Sequence, residues 1–141
     1  MKLTTKGRYA VMALADLAGF DRQNPVPLRD ISLRQNISLV YLEQIFLKLK
    51  RNNIVKSIRG SSGGYILNAE PEHITLSNIF SAVDEKIKTL QCNRESKKGC
   101  NSKLTKCITH YLWDDLELHI NDFFDQKNLR DLLKNNQERR I

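Results

Sequence analysis

The chain has 141 residues, 40% of them hydrophobic and 28% charged, enough for one compact domain with an added element and a modest core. The net charge of +7 is one-sided, because residues 1–67 hold 11 Lys/Arg against 4 Asp/Glu while residues 68–141 hold 12 of each. The longest apolar run near the start, YAVMALA at residues 9–15, is far short of the ~20 residues of a membrane span, and MKLTTKGR lacks the layout of a signal peptide.

A cytoplasmic chain with no membrane partner is expected, and its lopsided charge suggests a polyanion-binding module joined to a neutral one. TKGRYAVMALADLAG sets Tyr9, Ala10, Ala13, Leu14, Leu17 and Ala18 at helical spacing, with Thr4 or Thr5 as cap and Gly19 as stop. DRQNPVP is a turn-rich break. LRDISLRQ makes a short helix after Pro27; beyond it, Asn36 suits a left-handed conformation and Ser38 the cap of the next helix. That helix, LVYLEQIFLKLKRN, gathers Leu42, Ile45, Phe46 and Leu49 into one narrow buried arc. Its opposite face carries Val40, Gln44, Leu47 and Arg51, flanked by Tyr41, Glu43, Lys48 and Lys50. Two helices joined by so short a turn, the second with a polar, partly basic outer face, have the helix-turn-helix layout.

IVKSIRGSSGGYIL follows as strand, glycine-rich tip and strand. It lacks the Lys-Ser/Thr and helix of a phosphate-binding nucleotide loop and suits a wing, whose glycines allow close approach to DNA. PEHITLSNIFSAVDE predicts a short helix packed back through Leu76, Ile79, Phe80 and Val83. CITHYLWDDLELHINDFFDQ then steps Ile108, Leu112, Leu116, Ile120 and Phe123 or Phe124 along an amphipathic helix of about five turns. A short helix at NLRDLL and a tail, NNQERRI, end the chain. The fold expected is mostly α, a winged helix-turn-helix DNA-binding domain with a C-terminal long dimerisation helix. Its parts are a DNA-binding domain at residues 1–84, a cysteine-bearing loop at 85–107, the dimerisation and terminal helices at 107–135, and a tail at 136–141.

In such a domain the first turns of residues 39–50 enter the major groove of double-stranded promoter DNA. There Gln44 suits adenine, Glu43 suits the cytosine amino group, and the outward Val40 shares their face. Ser38 and Tyr41 suit phosphate, as do Lys2, Arg8, Arg51 and Lys56. Arg59, with Gly60 and Ser61 at the wing tip, suits the minor groove.

All three cysteines fall in one stretch, in the pattern C-x7-C-x6-C-x2-H formed by Cys92, Cys100, Cys107 and His110. Clustered cysteines in a reducing compartment bind metal or do redox chemistry more often than they form disulfides. Cys107 and His110, three apart at the start of the long helix, would share a face. Zinc and an iron–sulfur cluster both fit three thiolates and an imidazole, and spacing alone leaves them level. No base–orienter pair accompanies the thiols, so no enzyme activity is expected.

MKLTTKGRYAVMALADLA, ISLVYLEQIFLKLKRNNIV, SIRGSSGGYIL, AVDE and CITHYLWDDL together resemble the dimeric winged-helix transcription factors that sense iron–sulfur clusters, over residues 1–135 or so. The resemblance implies a [2Fe–2S] cluster on Cys92, Cys100, Cys107 and His110, a cluster-assembly scaffold as donor, and repression of cluster-assembly genes while the cluster is bound. The chain departs from the family in its wider cysteine spacing, in Ser61 and Ser62 in place of a Pro-Gly pair, and in Val40 where serine is usual. Two other readings are a zinc-stabilised winged-helix regulator and an iron–sulfur carrier without DNA specificity; the one-sided charge and the wing speak against the second.

Overall fold

A computed structural model of the chain describes residues 3–20, 23–89 and 106–138. Helix α1 (Thr5–Ala18) buries Ala10, Ala13, Leu14 and Leu17 at the expected spacing. Helix α2 (Leu28–Gln35) stops at Asn36, whose φ of 54° and ψ of 48° give the left-handed turn into α3 (Leu39–Arg51). The α3 stripe Leu42, Ile45, Phe46 and Leu49 fills the centre of the core with Leu14, Ile31, Leu67 and Ile79. Ser38 holds the N-cap position of α3, but its side chain makes no cap hydrogen bond.

Strands β1 (Val55–Ile58) and β2 (Gly64–Leu67) pair antiparallel, Val55 opposite Leu67 and Ile58 opposite Gly64. Val26, in the connection between α1 and α2, extends the ribbon. Its N–H donates to the Tyr65 carbonyl at 3.0 Å, and the Tyr65 N–H donates back to the Val26 carbonyl at 2.9 Å. Only glycine fits at position 64, where φ is 156° and a Cβ would stand 2.4 Å from the Val26 carbonyl carbon. The base of the wing is thereby fixed to the helical domain.

Helix α4 (Leu76–Ala82) starts with a capping box in which Thr75 and Asn78 satisfy each other's backbone N–H. The last two helices are α5 (His110–Gln126) and α6 (Leu129–Glu138). Helix α5 starts three residues later than the periodicity suggests, so Cys107 and Ile108 precede it. Helix α6 outruns NLRDLL and continues to Glu138. The end of α5 returns to the first domain. Phe124 stands edge-on to Phe80 at 4.8 Å, the Leu76 N–H donates to the Lys127 carbonyl at 2.9 Å, and the Leu129 N–H donates to the Ile74 carbonyl at 3.0 Å. Leu129 is fully buried.

Glu85, just beyond α4, is 6% exposed. Thr4 caps α1 by position, and both its N–H (2.6 Å) and its hydroxyl donate to the Glu85 carboxylate. The carboxylate lies over Gly7, where a Cβ would come within 2.8 Å of Glu85 Cγ. Glu85→Ala leaves the start of α1 without this acceptor and should cost about 1–3 kcal/mol, read as a lower urea midpoint at unchanged slope. Glu85→Gln, which keeps one acceptor oxygen, should cost less.

Candidate nucleic-acid interface and cysteine–histidine site

Helix α3 packs on α1 and β1 and turns its remaining surface outward. Ser38, Val40, Glu43, Gln44 and Arg51 are exposed along it, and Tyr41 is half-buried with its ring edge-on to Tyr9 at 5.7 Å. Lys56, Arg59, Gly60 and Ser61 are exposed on the wing, and Arg8 on α1. Lys2 lies outside the described residues. Because Ser38 spends no hydroxyl on capping, that group is left for an outside acceptor. The last turn of α3 carries Lys48, Lys50 and Arg51, cations well placed against the negative end of the helix dipole.

Two basic residues stand otherwise than the sequence suggests. Lys48, expected on the open face, ion-pairs with Asp84 at 3.2 Å, and Asp84 holds a positive φ of 58°. Nothing local foretells a partner 36 residues away. Arg29, exposed in the first turn of α2, is a further cation without a motif around it. Its place in the helix that precedes a reading helix is the signal that would have found it, since that helix crosses the DNA backbone. Arg34, by contrast, is committed to the fold. Its Nη2 and Nε donate to Asp16 at 2.7 and 3.0 Å, Gln35 Nε2 donates to the same carboxylate at 2.7 Å, and the hydrogen bond to Asp16 raises the Arg34 pKa above its ordinary value.

Of the four expected metal ligands, Cys107 and His110 are described, whereas Cys92 and Cys100 lie outside the described residues. Cys107 is a free, partly exposed thiol in the turn before α5 and not on the helix; its Sγ is 3.9 Å from Thr109 Oγ1. The His110 N–H donates to the Cys107 carbonyl at 3.0 Å, which ties the two residues into one turn. His110 is the first residue of α5, 4% exposed, with its ring edge-on to Tyr111 at 5.5 Å. Among the described residues no group of three or more His, Cys, Asp or Glu is placed to hold a metal. A thiol and an imidazole within one turn are half of a four-ligand set of the kind that takes zinc or an iron–sulfur cluster, so the donor chemistry fits. Around the start of α5 the large apolar side chains Ile108, Tyr111, Leu112 and Leu116 are exposed.

Residues 3–135 match the Rrf2 family of iron-dependent transcriptional regulators. The chain belongs to this family. It is 48% identical to the HTH-type transcriptional regulator IscR of Vibrio campbellii over 97% of its own length and 80% of the relative's. Among solved structures, IscR of T. potens matches it with a TM-score of 0.79 at 33% identity, covering 100% of this chain and 92% of that one. CymR of B. subtilis, described as the global cysteine regulator, also gives 0.79, at 30% identity over 95% and 97%. This Rrf2 chain thus has a winged-helix fold and is a DNA-binding transcriptional regulator, not an enzyme. Among its described residues no helix is long and apolar enough to cross a membrane.

Proposed function

We propose that this chain works in the cytoplasm as a homodimeric repressor of iron–sulfur cluster assembly genes. Its DNA binding would respond to a [2Fe–2S] cluster on Cys92, Cys100, Cys107 and His110, loaded from a cluster-assembly scaffold. The observation that carries this reading is the junction at the start of α5, where a buried imidazole, a neighbouring thiol and an exposed apolar surface meet in a chain that also presents an outward helix and a basic wing.

Bound at that junction, a [2Fe–2S] cluster supplies a redox-active cross-link whose presence depends on iron and sulfide supply. The chain's part is to hold His110 buried at the first turn of α5, with Cys107 on the turn beside it. Cys92 and Cys100 would tie the stretch between α4 and α5 to that turn. Leu112 and Leu116, one turn apart and exposed, would meet the same residues of a second copy across a twofold axis. Each winged domain would then take one half of a pseudo-palindromic site. Gln44 would read adenine and Glu43 the cytosine amino group, while Ser38 and Tyr41 would hold phosphate. Arg8, Arg51, Lys56 and Lys2 would add further phosphate contacts, with Arg59 in the minor groove above Gly60 and Ser61.

Protein purified without oxygen should contain two irons and two acid-labile sulfides per chain, and Cys92→Ala should lose both. One zinc with no sulfide would instead establish a zinc-stabilised regulator. In titrations against salt, Lys56→Ala should reduce the slope of log K on log salt by about 1 on every sequence, whereas Gln44→Ala should relax sequence preference and leave the slope in place. The double variant Leu112→Asp, Leu116→Asp should sediment as a monomer with its helical circular dichroism kept. A dimer that survives both substitutions would move the interface off α5.

A further inference from the structure

We propose that Val40 is a specificity-determining residue that reads the 5-methyl group of a thymine in the major groove. The inference rests on the assignment of α3 as the DNA-reading helix. Val40 is the second residue of α3 and is 64% exposed, on the side opposite the buried stripe Leu42, Ile45, Phe46 and Leu49. The fold gives no reason for a valine there. A β-branched side chain is a poorer helix former than the long polar residues that an exposed first turn usually carries, and burial returns nothing to it. Its nearest neighbours on the same face, Glu43 and Gln44, are polar and exposed, and the next exposed apolar residue there, Leu47, lies two turns further on, so Val40 is the apolar point of the first turns.

Docked in a major groove, that point would strip water from whatever base edge it meets. The O6, N7, N4 and N6 atoms would then lose hydrogen bonds that an isopropyl group cannot replace. The thymine methyl is the one apolar group on the major-groove edge of the four bases, and it alone turns this contact from a loss into a gain. Val40 and Gln44 are four residues apart, so their Cβ atoms are about 6 Å from each other along one helix face. Stacked base pairs are about 3.4 Å apart. The thymine should therefore lie within about two base pairs of the position that depends on Gln44.

The test uses the full chain, purified without oxygen, to enrich binding sites from a pool of randomised duplexes. Each thymine of one enriched duplex is then replaced in turn by uracil, which removes the methyl and keeps the pairing edge. One thymine, or one symmetry-related pair, should show about fourfold weaker binding as uracil, the cost of an unburied methyl. Val40→Ala and Val40→Ser, which keep the helix because the position is exposed, should bind the thymine and uracil duplexes equally. At that position 5-methylcytosine should be preferred over cytosine by wild type and not by the variants. Enriched duplexes that are indifferent to uracil everywhere, or a thymine preference that survives Val40→Ala, would overturn the role of Val40 alone. Failure to enrich any duplex would overturn the DNA-reading assignment of α3 and this inference with it.

Discussion

The hydrogen bonds between Thr4 and Glu85 join the two ends of the winged domain, and much else is arranged around them. A carboxylate taken almost out of water pays a large desolvation penalty unless donors replace its hydration. Thr4 supplies two, and Gly7, lacking a side chain, leaves the space in which the carboxylate lies. The adjacent Asp84, turned by its positive φ, faces the other way and pairs with Lys48 in the last turns of α3, while Lys6 donates to its carbonyl at 3.4 Å. Two consecutive residues thus touch α1, α3 and the end of α4. The chain that leads toward the cysteines departs from this point, so its first few residues are anchored to the same elements that orient the reading helix.

Helix α5 answers two demands along its length. Its last turns are stapled to the domain by Phe124 on Phe80 and by the backbone bonds that Lys127 and Leu129 make with Leu76 and Ile74. The ion pair of Arg130 with Glu72 adds little, because both groups are at the surface. There the Glu72 carboxyl is held below the usual carboxylate range first by a backbone hydrogen bond and then by Arg130. Toward its start the helix meets less of its own domain, and Ile108, Leu112 and Leu116 face outward. Several large apolar side chains left in water this way are costly to hydrate. One end of α5 is therefore fixed to its own domain, while the other leaves large apolar side chains exposed around a buried His110.

The parts of this arrangement legible in the sequence are those set by local periodicity and turn chemistry. The α3 stripe follows from the 3.6-residue period, the left-handed Asn36 from its short polar side chain, and the wing from a glycine-rich tip between two β-rich runs. Long-range pairings left no local trace. Thr4 meets Glu85 across 81 residues, Lys48 meets Asp84 across 36, and Val26 lengthens the wing ribbon from a segment that reads only as a turn. Periodicity also overran the start of α5. Ile108 keeps the apolar step of the helix although it lies in the turn before it, because a pattern of side chains carries no mark of where backbone hydrogen bonding begins. Spacing and resemblance point to Cys92, Cys100, Cys107 and His110 as a candidate ligand set; Cys92 and Cys100 lie outside the described residues, and Cys107 and His110 share one turn at the start of α5.

The outer face of α3 separates two properties that DNA-binding surfaces often merge. Affinity for a polyanion needs positive charge, and the first 67 residues carry all of the chain's excess, with Arg8, Arg51, Lys56 and Arg59 exposed around the helix. Val40 and Glu43 add nothing to that attraction: one is uncharged and apolar, the other is repelled by phosphate. Both stand exposed in the first turns of the helix, where base edges would be met. In the proposed reading they act as discriminators, since a wrong base opposite either one would leave a desolvated polar atom or an uncompensated charge. On this surface the surrounding cations supply binding to any duplex, and the two residues that contribute least to it would decide which duplex is kept.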